Sequence, residues 1–162
     1  MALGRGVILV GIHLGGWEVA TPVPRALLSV PTTVIVADDW LAWAIAHMRT
    51  EAGVRIMYRT EPAIRAARRL RGGEALLVLG NDGASPDFRG LEVRFLNARA
   101  VLPGGVVSLA RLTGAPIVGF HVVPLGPRRW RVVVDPAIAP PPAPGPRERG
   151  GCSSPSPTDG VR

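Results

Sequence analysis

The order in which apolar runs and helix-like segments follow one another constrains the fold of this chain more than any other feature. From residue 7 to about residue 135, short β-branched runs alternate with segments that have helical spacing and turn residues at their ends. This alternation is typical of an α/β domain with a largely parallel sheet. Several runs are apolar at every position, as strands buried on both faces are. The predicted strands cover residues 7–12, 33–37, 54–58, 75–79, 116–123 and 130–134.

The clearest predicted helix covers residues 61–71. Thr60 is its expected cap, Pro62 suits the first turn, and Gly72 with Gly73 ends it. The arginines of this helix are interpreted as a solvated surface rather than a phosphate site. The side chains expected to face inward are Ile64, Ala67 and Leu70.

Two further helices are predicted between strands. One covers residues 40–49 and is capped by Asp38 or Asp39, and the other covers residues 106–112 and stops at Gly114. These helices complete one α/β unit over residues 1–135.

The last part of the chain has a different character. Eight of the 17 prolines fall in residues 136–162, together with serines and glycines and without apolar periodicity. This tail is predicted to be disordered or extended. Its single cysteine, Cys152, makes neither an internal disulfide nor, alone, a metal site, and no metal ligand set is predicted.

Charge and hydropathy narrow the class of partner. The net charge is +7 and all 19 basic residues are arginines, which suits nucleic acid, anionic lipid headgroups or a phosphate-bearing substrate. Aromatic residues make up 5% of the chain, too few for the stacking platform of a single-strand binder, so nucleic acid is disfavoured. No secretory signal opens the chain, and no run reaches the roughly 18 apolar residues of a membrane-spanning helix. Any contact with a membrane is therefore expected to be peripheral.

The segment from Gly6 to Glu18 carries the chemistry. A strand over residues 7–12 delivers His13 to its carboxyl end, the edge at which parallel sheets place their sites. Gly15 and Gly16 then allow a tight turn into a helix that begins near Trp17. Glu18 falls in the first turn of that helix, within reach of the imidazole. A histidine held by a carboxylate keeps one tautomer and can take a proton from a hydroxyl.

The same segment offers donors for a developing negative charge. Amides of the turn at Gly15 and Gly16 and of the following helix start can stabilise an oxyanion. No nucleophilic serine or cysteine accompanies His13, so direct attack by a substrate hydroxyl on a thioester is the simplest chemistry. From spacing alone, a histidine packed at a strand end and a glutamate that caps a helix fit the segment equally well.

A family resemblance distinguishes these alternatives. The run His-Leu-Gly-Gly-Trp-Glu resembles the His-x4-Asp/Glu block of the lysophospholipid acyltransferase superfamily, in the form found in bacterial lipid A lauroyl/myristoyl and phosphatidylinositol mannoside acyltransferases. The resemblance implies that His13 is the general base and Glu18 its acidic partner. It also implies an αβα sandwich with a mostly parallel sheet of six or seven strands.

The resemblance continues to about residue 135. Arg49 to Gly53, Asp82 at a strand end and the run Leu-Ala-Arg-Leu-Thr-Gly-Ala-Pro-Ile-Val are similar to family blocks, and they imply that Arg49 and Asp82 join Gly15 and Gly16 in binding substrate. Three places depart from the family pattern: Gly16, Gly83 and the pair Leu96-Asn97. Family members extend further before the histidine block, so the chain is expected to lack an N-terminal part of the domain.

The family's chemistry sets the remaining expectations. It implies an acyl carrier protein or coenzyme A thioester as donor, a glycolipid or lysophospholipid hydroxyl as acceptor, no further cofactor, and a place on the cytoplasmic face of the bacterial inner membrane. The alternative is a catalytically inactive remnant of the same fold that binds lipid or carrier protein.

Several other side chains have two interpretations each. His47 and His121 are interpreted as structural rather than catalytic. Arg49 is interpreted as meeting an acceptor phosphate or pairing with Glu51 or Glu61. Two sets remain open between a membrane or carrier contact and ordinary surface or core packing: Arg89, Arg94 and Arg99, and Trp17, Trp40 and Trp43.

Overall fold

A central sheet of six strands organises the computed structural model, which describes residues 5–79 and 90–140. Its strands are β1 (Val7–Gly11), β2 (Thr32–Val36), β3 (Arg55–Tyr58), β4 (Ala75–Leu79), β7 (Ile117–Gly126) and β8 (Arg129–Val134). The strand order is β3-β2-β4-β1-β7-β8, with β8 antiparallel to β7 and the other neighbours parallel. The predicted mostly parallel sheet is confirmed.

Helices cover both faces of this sheet, because successive strand residues point to opposite sides. Leu76 packs with α3 (Ala63–Arg71) and α4 (Gly105–Thr113), whereas Leu77 packs in a second cluster with α2 (Trp40–Glu51) and the 3-10 helix Trp17–Ala20. Both leucines are fully buried. The arrangement is the predicted αβα sandwich.

The helix predicted over residues 61–71 forms, but its start and its inward face differ from the prediction. Pro62 is the residue before the first turn, with no side-chain cap, and the Thr60 hydroxyl instead bonds the Asp38 carboxylate. Ile64 lies in solvent, while Ala66 takes a place in the core beside Ala67 and Leu70. The inward face is centred on Ala66, Ala67 and Leu70, and the helical period places Ile64 to one side of it.

The prediction for α2 holds at its start. The Asp39 Oδ1 accepts a hydrogen bond from the Ala42 backbone N–H at 2.8 Å. The helix continues to Glu51, two residues beyond the predicted end. Asp39 is therefore the cap, and Asp38 is free to bond Thr60.

Two elements were not predicted. A helix of six residues, α1 (Val23–Leu28), is too short to show a helical period. A two-stranded sheet, β5 (Gly90–Phe95) with β6 (Ala98–Pro103), turns at Leu96 and Asn97 and not at the Asn-Gly or Asp-Gly pair that usually marks such a hairpin.

The carboxyl end of β1 is a switch point in the sheet. After β1 the chain crosses to β2 on one side, and after β4 it crosses to β7 on the other side of β1. Connections that diverge in this way leave a crevice outside the strand ends, where α/β proteins bind ligands.

The chain stays attached to the sheet after β8. Ile138 and Ile117 exchange two backbone hydrogen bonds, of 2.9 and 2.7 Å. Residues 136–140 of the predicted tail are thus described, and residues 141–162 lie outside the described part. Within the described ranges, no helix is long and apolar enough to cross a membrane.

Candidate active site

The end of β1 positions His13. Val7 to Gly11 lie between β4 and β7, and the backbone turns immediately afterwards, with the Leu14 N–H bonded to the Ile12 carbonyl oxygen at 2.8 Å. Gly15 has a φ of +66°, which favours glycine. The 3-10 helix begins at Trp17, close to the predicted helix start. His13 therefore lies just beyond the carboxyl end of β1 and is exposed to solvent.

The two glycines of this turn are also required by packing. A Cβ at Gly15 would lie 3.0 Å from the Val122 carbonyl oxygen, and one at Gly16 would lie 3.0 Å from Trp130 Nε1. The turn thus packs directly on β7 and β8. Its position is fixed by backbone and indole contacts that a larger side chain would disturb.

Trp17 joins the imidazole to the rest of the site. The rings of His13 and Trp17 meet edge to face, with centroids 5.0 Å apart and planes at 88°. The Arg49 guanidinium carbon lies 5.7 Å from the Trp17 ring centroid, within the range of a cation–π contact. The indole therefore contacts both the His13 imidazole and the Arg49 guanidinium.

Arg49 and Glu18 form a two-point ion pair. Arg49 Nη2 donates to Glu18 Oε1 at 2.5 Å and Nε donates to Oε2 at 3.3 Å. The Thr21 hydroxyl adds a longer hydrogen bond to Oε2, at 3.4 Å. The Arg49 side chain is 6% exposed and that of Glu18 is 44% exposed. A planar fork on a carboxylate fixes the orientation of both groups.

This ion pair corrects the sequence-based interpretation of Arg49. Glu51 bonds His47 and Glu61 bonds Arg65, so neither is the partner of Arg49. The guanidinium bonds Glu18 instead, and the role of Arg49 toward an acceptor phosphate stays a prediction. A signal was present in the sequence: Arg49 follows the core residue Ala42 by seven positions, which places both on one helix face.

An apolar groove begins beside His13. Its volume is about 680 Å³, and it lies between the end of β1 and the second half of β7. A methyl group at Gly11 would lie 2.5 Å from Phe120 Cζ, so glycine lets the ring pack against the strand end. His121 and Asp135 are the polar residues of the lining. Its apolar side chains include Ile12, Leu14, Phe120, Val122, Val123 and Pro124.

The family model described as bacterial lipid A biosynthesis acyltransferase matches residues 2–143. The chain belongs to this family. No individual curated protein matches the sequence significantly. Family membership gives the chain an acyltransferase activity in general terms, with an acyl donor and a lipid acceptor.

The remaining candidate residues of the acyltransferase differ in where they lie. Asp82 and Arg89 lie outside the described residues. His47 lies on the surface of α2, 3.2 Å from Glu51, and His121 is exposed in the groove and not packed in the core. Trp40 and Trp43 are 78% and 75% exposed, so core packing is excluded for both.

Within residues 5–79 and 90–140 of the acyltransferase, no three His, Cys, Asp or Glu side chains are grouped as a metal site would require.

The contact predicted between the His13 imidazole and the Glu18 carboxylate stays a prediction, as do substrate-binding roles for Gly15 and Gly16.

Proposed function

We propose that this acyltransferase moves a fatty acyl group from a thioester to a hydroxyl of a membrane glycolipid or lysophospholipid. The donor is an acyl carrier protein or coenzyme A thioester. His13 takes the proton of the acceptor hydroxyl as its oxygen attacks the thioester carbonyl. The tetrahedral intermediate collapses, the C–S bond breaks, and the leaving thiolate receives the proton from His13. An ester and a free thiol are the products.

One observation carries the proposal: His13, Trp17, Arg49 and Glu18 form a continuous set of contacts at the switch point of the sheet. In the proposal Trp17 limits the movement of the imidazole by its edge-to-face contact. Arg49 holds the Glu18 carboxylate through two hydrogen bonds. Because the Arg49–Glu18 pair has no net charge, the proposed contribution of Glu18 is to orient the imidazole through a fixed acceptor oxygen, more than to add net charge to the site.

The glycine turn supports the next step. The carbonyl oxygen gains negative charge as the hydroxyl attacks, and fixed backbone amides stabilise such charge without reorganising. We assign this task to the amides around Gly15 and Gly16, whose position is set by their packing on Val122 and Trp130.

The apolar groove supplies a place for the acyl chain. It starts at Ile12 and Leu14, the two chain neighbours of His13, and continues along β7. A thioester carbonyl held beside His13 would have its chain directed into this groove. Burying each methylene there stabilises the complex by roughly 0.8 kcal/mol.

The proposed location of the enzyme follows from its proposed acceptor. A glycolipid or lysophospholipid acceptor lies in a membrane, and a chain of net charge +7 is attracted to an anionic surface. We place the enzyme in peripheral contact with the cytoplasmic face of the bacterial inner membrane.

Transfer of a labelled acyl group from acyl carrier protein or coenzyme A to lipid tests the proposal. His13→Ala should lower the rate by a factor of about 10² to 10⁴, the usual contribution of a general base. His47→Ala, a change at an exposed histidine on α2, serves as the matched control and should leave the rate unaltered. Full transfer by His13→Ala would overturn the mechanism. Lipid binding by the wild-type chain without any turnover would instead identify an inactive remnant of the fold.

A further inference from the structure

The hairpin of β5 and β6 has one apolar and one polar face. Residues directly opposite each other in an antiparallel pair share a face, and successive pairs alternate between faces. Exposure of the apolar face increases from half-buried Val93 to Phe95, which is 60% exposed next to the turn. The pairs of the apolar face are Leu91 with Leu102, Val93 with Ala100, and Phe95 with Ala98.

The turn itself carries an exposed leucine in an unfavourable conformation. Leu96 and Asn97 have φ values of +47° and +63°, as a two-residue turn of type I′ requires. An L-residue other than asparagine or aspartate is destabilised in this conformation. Leu96 is also 85% exposed. Neither turn geometry nor burial within the chain accounts for a leucine here.

Two arginines face each other on the polar side. Arg94 and Arg99 are direct cross-strand partners, and like charges in that position destabilise a hairpin. Glu92 Oε1 lies 3.5 Å from Arg99 Nη1 and offsets one charge. Among residues 5–79 and 90–140, no ion pair is described for Arg94. A cavity of about 480 Å³ opens on this side, lined by Glu92, Val93, Arg94, Asn97, Ala98 and Arg99.

Topology places this hairpin at the active-site edge of the sheet. β6 leads at Gly105 directly into α4, and α4 leads at Thr113 to the amino end of β7. Because β7 is parallel to β1, the start of α4 and the hairpin before it lie toward the carboxyl ends of the strands. His13 lies at the same edge.

We propose that the β5–β6 hairpin docks the chain on an anionic phospholipid membrane. Phe95 and Leu96 enter the boundary between headgroups and acyl chains, where apolar side chains are stabilised. Arg94 and Arg99 bind headgroup phosphates, which relieves their mutual repulsion. An exposed aromatic ring and leucine at one tip fit a lipid phase better than the acidic surface of a carrier protein. That docking delivers an acceptor to His13 rests on the proposed function, whereas docking itself does not.

Co-sedimentation with vesicles of equimolar phosphatidylglycerol and phosphatidylcholine tests the proposal. Arg94→Gln should weaken binding about fivefold, as expected for one cation near an anionic surface. Leu96→Asn should weaken it several-fold while relieving the strained turn. Both variants should be at least as stable to heat as the wild type, so a loss of binding would not reflect unfolding. Arg68→Gln removes the same charge from an exposed position on α3 and should change binding little.

The outcomes separate docking from catalysis. Vesicle binding that is equal in Arg94→Gln, Leu96→Asn and Arg68→Gln would overturn the proposal, as would equally tight binding to pure phosphatidylcholine. Binding of an acidic carrier protein through Arg94, without binding of vesicles, would overturn it too. His13→Ala should bind vesicles fully. If the wild type binds vesicles through the hairpin but transfers no acyl group, the proposed function alone fails.

Discussion

Arg49 reaches from the last turn of α2 to Glu18, and its guanidinium bonds both oxygens of that carboxylate. The two residues are 31 positions apart in the sequence. Their contact ties the helix that precedes β3 to the turn that follows β1. The chemistry assigned to His13 therefore depends on the contact that holds the last turn of α2 against Glu18.

Replacing Arg49 should reduce both stability and acyl transfer. Arg49→Gln leaves the Glu18 carboxylate without its fork, and breaking a fully buried pair costs about 3–5 kcal/mol. Because Glu18 is 44% exposed, we expect a loss on the order of 2 kcal/mol in the free energy of unfolding. Arg49→Lys should recover part of the stability, since an ammonium keeps the charge without the fork. Denaturant titration and transfer rates measure the two effects.

The matched control for Arg49 is Arg65→Gln. Arg65 pairs with Glu61 on the surface of α3, where solvent screening leaves an ion pair with little effect on stability. Equal losses for the two variants would show that Arg49 behaves as an ordinary surface charge.

Adding a methyl group to the active-site turn should destabilise the chain. Gly15→Ala forces alanine into a φ of +66° and places its Cβ 3.0 Å from the Val122 carbonyl oxygen. The backbone conformation alone costs roughly 1–2 kcal/mol. Gly105→Ala is the control, because nothing lies within 4 Å of the added Cβ and alanine favours the helix that begins there. Unchanged unfolding midpoints for Gly15→Ala would contradict the described turn.

Glu61 should contribute to stability in a pH-dependent way. The Tyr58 backbone N–H donates to the Glu61 carboxylate at 2.9 Å and Arg65 donates to it at 2.7 Å, and these contacts hold the pKa of Glu61 below its ordinary value in the folded state. A lowered folded-state pKa gives a contribution that is complete well above the ordinary pKa of glutamate and is lost as the pH falls through the lowered value. Glu61→Gln should thus be less stable than wild type at neutral pH and equal to it in acid. A difference independent of pH would show that charge is not the cause.

Narrowing the apolar groove should change the preferred acyl chain. Val123→Phe adds bulk to the lining, so long-chain donors should lose kcat/KM relative to short ones. Each methylene excluded from the groove corresponds to roughly a fourfold loss. Val134→Phe, on exposed β8 and outside the lining, is the control. A chain-length profile unaffected by Val123→Phe would remove the groove from the proposed donor site.

The local part of the site could be predicted from the sequence, because short-range constraints determine it. An apolar run followed by His13, two glycines and Trp17 can hardly form anything but a strand, a turn and a helical segment. The α/β class followed from the same reasoning applied to the whole chain. Neighbouring residues decide such features, so a single sequence contains enough information.

The rest depended on distant contacts. Arg49 meets Glu18 only because α2 packs on the same face of the sheet as the 3-10 helix Trp17–Ala20, and no local pattern encodes that approach. The hairpin was missed since Leu96 and Asn97 do not give the usual turn signal, although both adopt its backbone. Its spacing from Ala67 and Leu70 predicts that Ile64 is buried, but small Ala66 takes the place in the core and Ile64 lies in solvent.

The composition of α2 affects how variants of the site can be interpreted. Ala42 and Arg49 are the buried residues of this helix, so its attachment near the active site relies on a guanidinium as well as on a small methyl group. Glu18 therefore serves as an anchor for a structural element while it stands beside the reacting groups. If a Glu18 variant is inactive, the cause is either the loss of its chemical contribution or the detachment of α2. Only a stability measurement made alongside the assay can separate the two.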